Sequence, residues 1–489
     1  MPSSCVVTRS LYGRRRSTGT GWPVIAGVIS WGVPASRRLL FLLPERPKLH
    51  PARELNPMKT EPTIRPSDSL RNVRYEIRGR LAHRAHELER QGYEIVSLNI
   101  GNPKAFGFRT PETMRLAMIE NLSEAEGYCH QKGIFPAREA VVMLQQERGL
   151  SGITADEVFM GNGVSELIDL VLRALLNDGD EVLVPSPDYP LWTAAVTLNR
   201  GKAVHYPCRP EAAFVPDPEE IARLITPRTR AIVVINPNNP TGAVYPRPVL
   251  EAIARLAERA GIIVFSDEIY DQMTYDGAEF VPMATLVRDT VCATLSGLSK
   301  VYRACGYRVG WAVFSGRTRA AADYLRSLEL LSSLRLCSNV IGQWAVQTAL
   351  GGFQSLKQLI TPGGRLYESR RAIMDAVNAS RFLKLEAPKG AMYAFIGVDT
   401  SELPDFDDQQ FALDLLEQKH VLVAPGVSFN VPYRNHFRVT TLPDSLTLRD
   451  VFGRVDELLT AYAAAPRGEG LSPGASGQSN VVSAGNRFK

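Results

Sequence analysis

Four short apolar runs, each broken off by a polar cluster, constrain this chain more than any other feature. They are residues 181–185 (EVLVP), 231–235 (AIVVI), 262–265 (IIVF) and 291–295 (VCATL). They are rich in β-branched residues and apolar at successive positions instead of alternating. That is the pattern of strands in a parallel sheet covered on both faces. Helical stretches such as 250–260 lie between them, so the alternation is βαβ and the class is α/β, a mostly parallel central sheet flanked by helices. Segments 380–398 and 420–442 return to strands after a long helical stretch. They read as a second, smaller α+β domain that also takes in residues near the N-terminus. Within 73–91, Tyr75, Ile77, Leu81, Ala82, Ala85 and Leu88 recur at helical spacing and predict an amphipathic helix.

In open α/β sheets ligands sit beyond the carboxyl ends of the strands, so the polar clusters are where chemistry belongs. Four motifs stand there in order. Gly161-Asn162-Gly163-Val164-Ser165 precedes an apolar helix expected to start near Glu166. Glycines before a helix let backbone N–H groups and the helix dipole meet a phosphate, although a plain structural turn explains them as well. Asn236 to Gly242 (NPNNPTG) follows the second run. It reads as a turn, or as a side-chain amide held rigidly as a hydrogen-bond donor. Asp267-Glu268-Ile269-Tyr270 follows the third. Asp267 there suits a helix N-cap, or a carboxylate that pairs with a protonated ring nitrogen, with Tyr270 on the same side of a helical turn.

Ser299-Lys300, with Arg308 eight residues on, completes the set. An isolated lysine is usually a solvated surface residue. A lysine beside another cation in a partly desolvated pocket instead loses its proton readily and attacks aldehydes, while an arginine nearby takes a phosphate. Taken together, the four motifs supply an amine, an anion cradle, an acid for a ring nitrogen and a donor for a ring hydroxyl. That is the equipment for pyridoxal 5′-phosphate (PLP), an electron sink.

Composition narrows the rest. Of the 489 residues, 45% are hydrophobic and 22% charged, ordinary values for a globular protein. Six scattered cysteines, none at CxxC spacing, suggest neither zinc nor a disulfide framework, and free thiols fit a cytoplasmic location. Seven histidines show no HExxH or paired spacing, so no metal is expected. The net charge of +5 is uneven: residues 1–57 hold nine Lys/Arg against Glu45 and Glu54, a local +7, which leaves the body at −2. A nearly neutral body gives no reason to expect a nucleic-acid surface. The apolar stretches within 1–57 fall short of the roughly 18–20 residues a membrane span needs.

The expected layout is an irregular basic extension outside the fold at 1–57 and an N-terminal arm with part of the small domain at 58–108. The large domain then covers 109–345, the small C-terminal domain 346–462 and a disordered tail 463–489. Met58 is the favoured start of the folded chain, an organelle transit peptide the alternative.

With these residues on view, the chain resembles the fold-type I PLP enzymes, the class I/II aminotransferases with their aspartate-aminotransferase-like fold. The resemblance spans about 60–462. The stretches LNIGNPKAFGF, GYCHQKGIF, PSPDYPLWTAAV, INPNNPTGAVY, SDEIYD, LRLCSNV and ITPGGRLYE resemble the bacterial glutamate–pyruvate (alanine) aminotransferases among them. The resemblance implies that Lys300 holds the cofactor as a Schiff base and shuttles the substrate proton. It implies that Asp267 pairs with the ring nitrogen, that Asn239 and Tyr270 donate to the ring's phenolic oxygen, and that Tyr189 stacks on the ring. Val164, Ser165 and Arg308 would hold the phosphate, with Tyr128 reaching it from the partner of a homodimer. Gly101, Asn239 and Arg438 would bind the substrate α-carboxylate. Many relatives carry a hydroxyl three residues before the lysine; here that position is Gly297, and Ser299 or Ser296 would substitute.

The implied reaction is L-alanine plus 2-oxoglutarate giving pyruvate plus L-glutamate, by a ping-pong route. The alternatives are valine–pyruvate or aromatic transamination, or a PLP-dependent carbon–sulfur β-lyase. A transcriptional regulator built on this fold needs an N-terminal DNA-binding domain, and 1–57 is too short and irregular for one.

Overall fold

The expected sheet is present and has seven strands. The structure, a computed structural model, describes residues 64–73 and 79–464, and all that follows concerns the unit beginning at Pro66. In chain order the strands are β1 (Val96–Ser97), β2 (Val158–Gly161), β3 (Glu181–Ser186), β4 (Lys202–Pro207), β5 (Thr229–Ile235), β6 (Ile263–Asp267) and β7 (Val291–Gly297). They continue as β8 (Gly310–Gly316), β9 (Leu383–Lys384), β10 (Tyr393–Val398), β11 (Val421–Leu422), β12 (Ala424–Pro425) and β13 (His436–Thr440).

The large sheet runs β2-β8-β7-β6-β5-β3-β4, and only β8 is antiparallel to its neighbours. The unbroken apolar runs are explained by β5. Ile232 and Val234 pack into one core with Leu250, Ile253 and Ala254 of the helix Arg247–Ala260. Ala231, Val233 and Ile235 pack into the opposite core with Leu167, Ile168 and Leu170 of the helix Val164–Leu175. Both faces exclude water, so a polar residue at either parity would forfeit about 1.5–3 kcal/mol of burial.

The chain leaves β3 for the edge strand β4, then returns to β5 on the other side of β3. That reversal opens a crevice at the carboxyl ends of β3 and β5.

A second sheet, β12-β13-β10-β9, is antiparallel, and β1 pairs in parallel with β11, so residues near 96 join this part of the molecule. The fold is therefore a mostly parallel sheet flanked by helices with a smaller α+β part, as expected. No helix among the described residues is long and apolar enough to cross a membrane.

Several boundaries differ from expectation. Three of the expected strands run one or two residues past their apolar runs, to Ser186, Asp267 and Gly297, because ladder bonds are made by backbone and not by side chains, whereas β5 ends with its run at Ile235. Ile235, Asp267 and Leu295 still pair across β5, β6 and β7. Asp267 therefore ends a strand and caps no helix; residues 269–272 form a turn. The helix expected over 73–91 spans Arg80–Arg90, and Tyr75 and Ile77 lie outside the described residues. The last helix, Ser445–Ala464, runs two residues into the expected tail. The extension 1–57 and residues 465–489 also lie outside the described residues.

Candidate active site

Lys300 follows β7 by three residues. Its Nζ donates to the Gly101 carbonyl at 2.8 Å, and no carboxylate among the described residues pairs with it. The amine is thus oriented by a backbone oxygen and left without a counter-ion. Tyr393, on β10, stands beside it. Burial alone would raise the Tyr393 hydroxyl, yet the Lys300 and Arg438 charges and hydrogen bonds with Tyr270 and Lys300 bring it below its ordinary value. Tyr270 Oη donates to Tyr393 Oη at 3.4 Å.

Asp267 is buried at the end of β6. Its Oδ2 accepts from Trp192 Nε1 at 3.1 Å. Burial pushes its carboxyl up to about 6, although the Trp192 bond, the Ile269 N–H and the Lys300 charge all oppose the rise. A buried carboxylate with so little compensation favours a cationic partner, such as a protonated pyridine nitrogen.

Arg438 is nearly inaccessible on β13, at 1% exposure. Nη1 donates to Asn239 Oδ1 at 2.8 Å, and Nη2 donates to the Asn99 carbonyl. The guanidinium lies 4.2 Å from the centre of the Tyr393 ring and 4.7 Å from that of Phe429. No carboxylate among the described residues pairs with it, and Nε is buried without a partner. A buried cation held by neutral acceptors and aromatic faces is a receptor for an anion.

A second anion cradle forms after β2. Gly163, at φ 83°, precedes the helix Val164–Leu175, which no side chain caps. Its first N–H groups are therefore open to an anion. A Cβ at Gly163 would collide with the Arg308 guanidinium, so glycine is what lets the arginine approach. Arg308 donates to the Cys305 and Asn162 carbonyls at 2.8 and 3.1 Å and meets no carboxylate among the described residues. Of the two candidate serines, Ser299 lines the cavity, whereas Ser296 Oγ donates to the Glu268 carbonyl at 3.4 Å. A Cβ at Gly297 would stand 2.6 Å from the Val309 carbonyl oxygen, so the close β7–β8 pairing leaves no room for a hydroxyl there.

These groups surround one cavity of about 1560 Å3. Gly101, Val164, Ser165, Tyr189, Asn239, Tyr270, Ser299, Lys300, Arg308 and Arg438 all line it. Asp267 sits behind the wall. Tyr128 does not reach the cavity; it is 82% exposed on the surface. Sequence reasoning missed Tyr393, Phe429 and the Asn99 carbonyl, and it assigned Trp192 no role. Tyr393, Asn99 and Trp192 act through contacts with residues distant in the chain, Phe429 through Arg438 nine residues on, and no local pattern marks any of them. The arrangement fits PLP: an amine for its aldehyde, a buried carboxylate for its ring nitrogen, a capless helix with Arg308 for its phosphate.

Residues 93–452 match the family Aminotransferase class I and II. The glutamate-pyruvate aminotransferase of Escherichia coli is 48% identical over 380 residues, 78% of this chain and 94% of that protein. The alanine aminotransferase of Mycobacterium bovis is 44% identical over 397 residues, 81% of this chain and 92% of that protein. A crystal structure of an aminotransferase from Escherichia coli superposes with a TM-score of 0.81 at 46% identity, covering 83% of this chain and all of that one. The chain belongs to the class I and II aminotransferases, enzymes that work with pyridoxal 5′-phosphate.

Proposed function

We propose that the protein transfers the amino group of L-alanine to 2-oxoglutarate, giving pyruvate and L-glutamate in two half-reactions at one site. The observation that carries this reading is Arg438, a buried guanidinium with no carboxylate partner among the described residues, facing the same cavity as Lys300. Both substrates carry an α-carboxylate, and both must present Cα to the amine. The alanine and glutamate–pyruvate specificity rests on the names of the relatives above.

When bound, PLP supplies the electron sink for the Cα–H bond that breaks. Arg438 grips the α-carboxylate, with Asn239 Nδ2 and the Gly101 backbone beside it. Lys300 Nζ would hold PLP through its aldehyde and, facing the same cavity as Arg438, would serve as the base that takes the substrate Cα proton. Asp267 keeps the ring nitrogen protonated. Tyr270 and Asn239 would offer hydrogen-bond donors to the ring oxygen, and Tyr189 would supply an aromatic face to the ring. Val164, Ser165, Ser299 and Arg308 hold the phosphate.

The exposure of Tyr128 supports a role in the partner's site within a homodimer. The seven-stranded sheet and the sheet β12-β13-β10-β9 support a large domain over 109–345 and a small one over 346–462, joined by 58–108 through the pairing of β1 with β11. Free thiols among the described cysteines support a cytoplasmic location.

The test is to supply PLP, L-alanine and 2-oxoglutarate and follow pyruvate with a coupled dehydrogenase, beside Lys300→Ala. Pyruvate should appear only with 2-oxoglutarate and not in the variant. Ammonia release without need of a 2-oxo acid would overturn transamination; activity with another amino donor alone would overturn the alanine assignment.

A further inference from the structure

Asp188 is a fully buried carboxylate that the reaction does not use. It lies in the loop after β3, one residue before Tyr189, and no cation among the described residues pairs with it. Its Oδ1 accepts from Asn430 Nδ2 at 2.9 Å, and its Oδ2 accepts from the Thr193 hydroxyl at 2.5 Å. The Asp188 N–H donates to the Phe429 carbonyl at 3.1 Å, and Ser186 Oγ donates to the Asn430 carbonyl at 2.8 Å. Three bonds therefore tie 186–188 to 429–430.

Asn430 holds a left-handed turn at φ 56°, a conformation asparagine tolerates better than most residues. Directly before the turn, Phe429 packs on the Arg438 guanidinium. On the other side of Asp188, Tyr189 lines the cavity. The two loops so joined carry Tyr189 in the cavity wall and Phe429 against Arg438.

The carboxylate also orders its own surroundings. Thr193 has one hydroxyl hydrogen. Given to Asp188, it leaves Thr193 an acceptor toward His205, 3.0 Å away at Nε2, so that nitrogen carries the imidazole hydrogen. Burial pushes the Asp188 carboxyl up to about 7, against the bonds from Thr193 and Asn430. An apolar side chain would fill the space at lower cost, so space filling does not account for the residue.

We propose that Asp188 is a positioning residue for substrate-carboxylate binding: by gripping Asn430 it keeps Phe429 stacked on Arg438 and in register with the Tyr189 loop. This rests on the reading of Arg438 as the α-carboxylate ligand. Asparagine at 188 preserves the grip, because its oxygen still accepts from Asn430 while its amide donates to Thr193. Alanine abolishes it.

The experiment compares PLP-loaded Asp188→Ala, Asp188→Asn, Asn430→Ala and the double alanine variant, with Arg438→Lys as control. KM and kcat are measured for L-alanine and 2-oxoglutarate per bound cofactor, and the Kd of glutarate, a non-reacting dicarboxylate, by calorimetry. Asp188→Ala and Asn430→Ala should each raise both KM values and the glutarate Kd about 10-fold, with kcat changed far less. Asp188→Asn should recover most of the loss, and the double variant should be no weaker than the worse single one. If Asp188→Ala lowers kcat or Tm but leaves KM and Kd within about twofold, Asp188 serves only the fold and the proposal is wrong. Additive effects overturn it equally. Should Asp188→Ala fail to fold, Asn430→Ala breaks the same contact and decides alone. An Arg438→Lys variant with unchanged KM and Kd would locate the failure in the reading of Arg438, and the proposal would fall with it.

Discussion

Arg438 Nη1 donates to Asn239 Oδ1 at 2.8 Å, and that single bond assigns the asparagine amide. A guanidinium has no acceptor, so the oxygen faces Arg438 and the Nδ2 hydrogens are left for another acceptor. The guanidinium has no counter-ion among the described residues, because its neighbour is an amide and not an acid. Asn239→Asp should therefore hand Arg438 a permanent counter-ion. The KM values of both substrates are expected to rise about 100-fold, about 2.7 kcal/mol of lost binding, measured by steady-state kinetics.

If Asp267 pairs with the cofactor's ring nitrogen, as proposed, cofactor binding should depend on pH. Its folded value of about 6 lies above its ordinary 3.8. Without cofactor, the folded chain binds more protons than the unfolded one at this group. Its contribution to stability is then fully present below about pH 4 and is lost as pH rises through about 6. A cationic ring nitrogen relieves the buried charge. The gain in Tm on adding PLP should thus grow between about pH 5 and pH 7, and Asp267→Asn should remove that growth. Thermal melts of the loaded and cofactor-free forms decide it.

Ser299 and Ser296 should separate cleanly. Ser299 lines the cavity beside Lys300, whereas Ser296 is committed to the Glu268 carbonyl. Ser299→Ala should weaken PLP binding about 10-fold, the worth of one hydrogen bond to a charged group. Ser296→Ala should leave it unchanged within about twofold. Equilibrium dialysis of the cofactor reads both; equal losses would refute the assignment.

Tyr128 gives a test of subunit sharing. Tyr128→Ala and Lys300→Ala should each be nearly inactive alone. Unfolded and refolded together in equal amounts, they should recover about a quarter of wild-type activity, since half of the dimers are mixed and each holds one intact site. No recovery would mean that Tyr128 serves its own subunit or no site.

Much of this was legible in the chain itself. The runs before residues 236, 266 and 296 read as doubly buried strands, because they are short, β-branched, almost wholly apolar and closed off by polar clusters. Strand ends in such a sheet are where ligands bind, so Asn239, Asp267 and Lys300 could be named from their distance to a run. Arg438 was different: within HFRVT it reads as a strand arginine, and only family resemblance singled it out. Ser299 and Ser296 were indistinguishable by spacing, being one and four residues from Lys300.

What the sequence by itself determined is the set of elements and the groups at their ends, since hydrophobic periodicity and local turns depend on near neighbours. Only the tertiary structure decided which groups meet. It set Arg438 between Tyr393 and Phe429, placed Trp192 on Asp267, and joined Asp188 to Asn430 across 242 positions of chain. Those contacts depend on how sheets and helices stack, and burial at long range leaves no periodic mark on the local sequence.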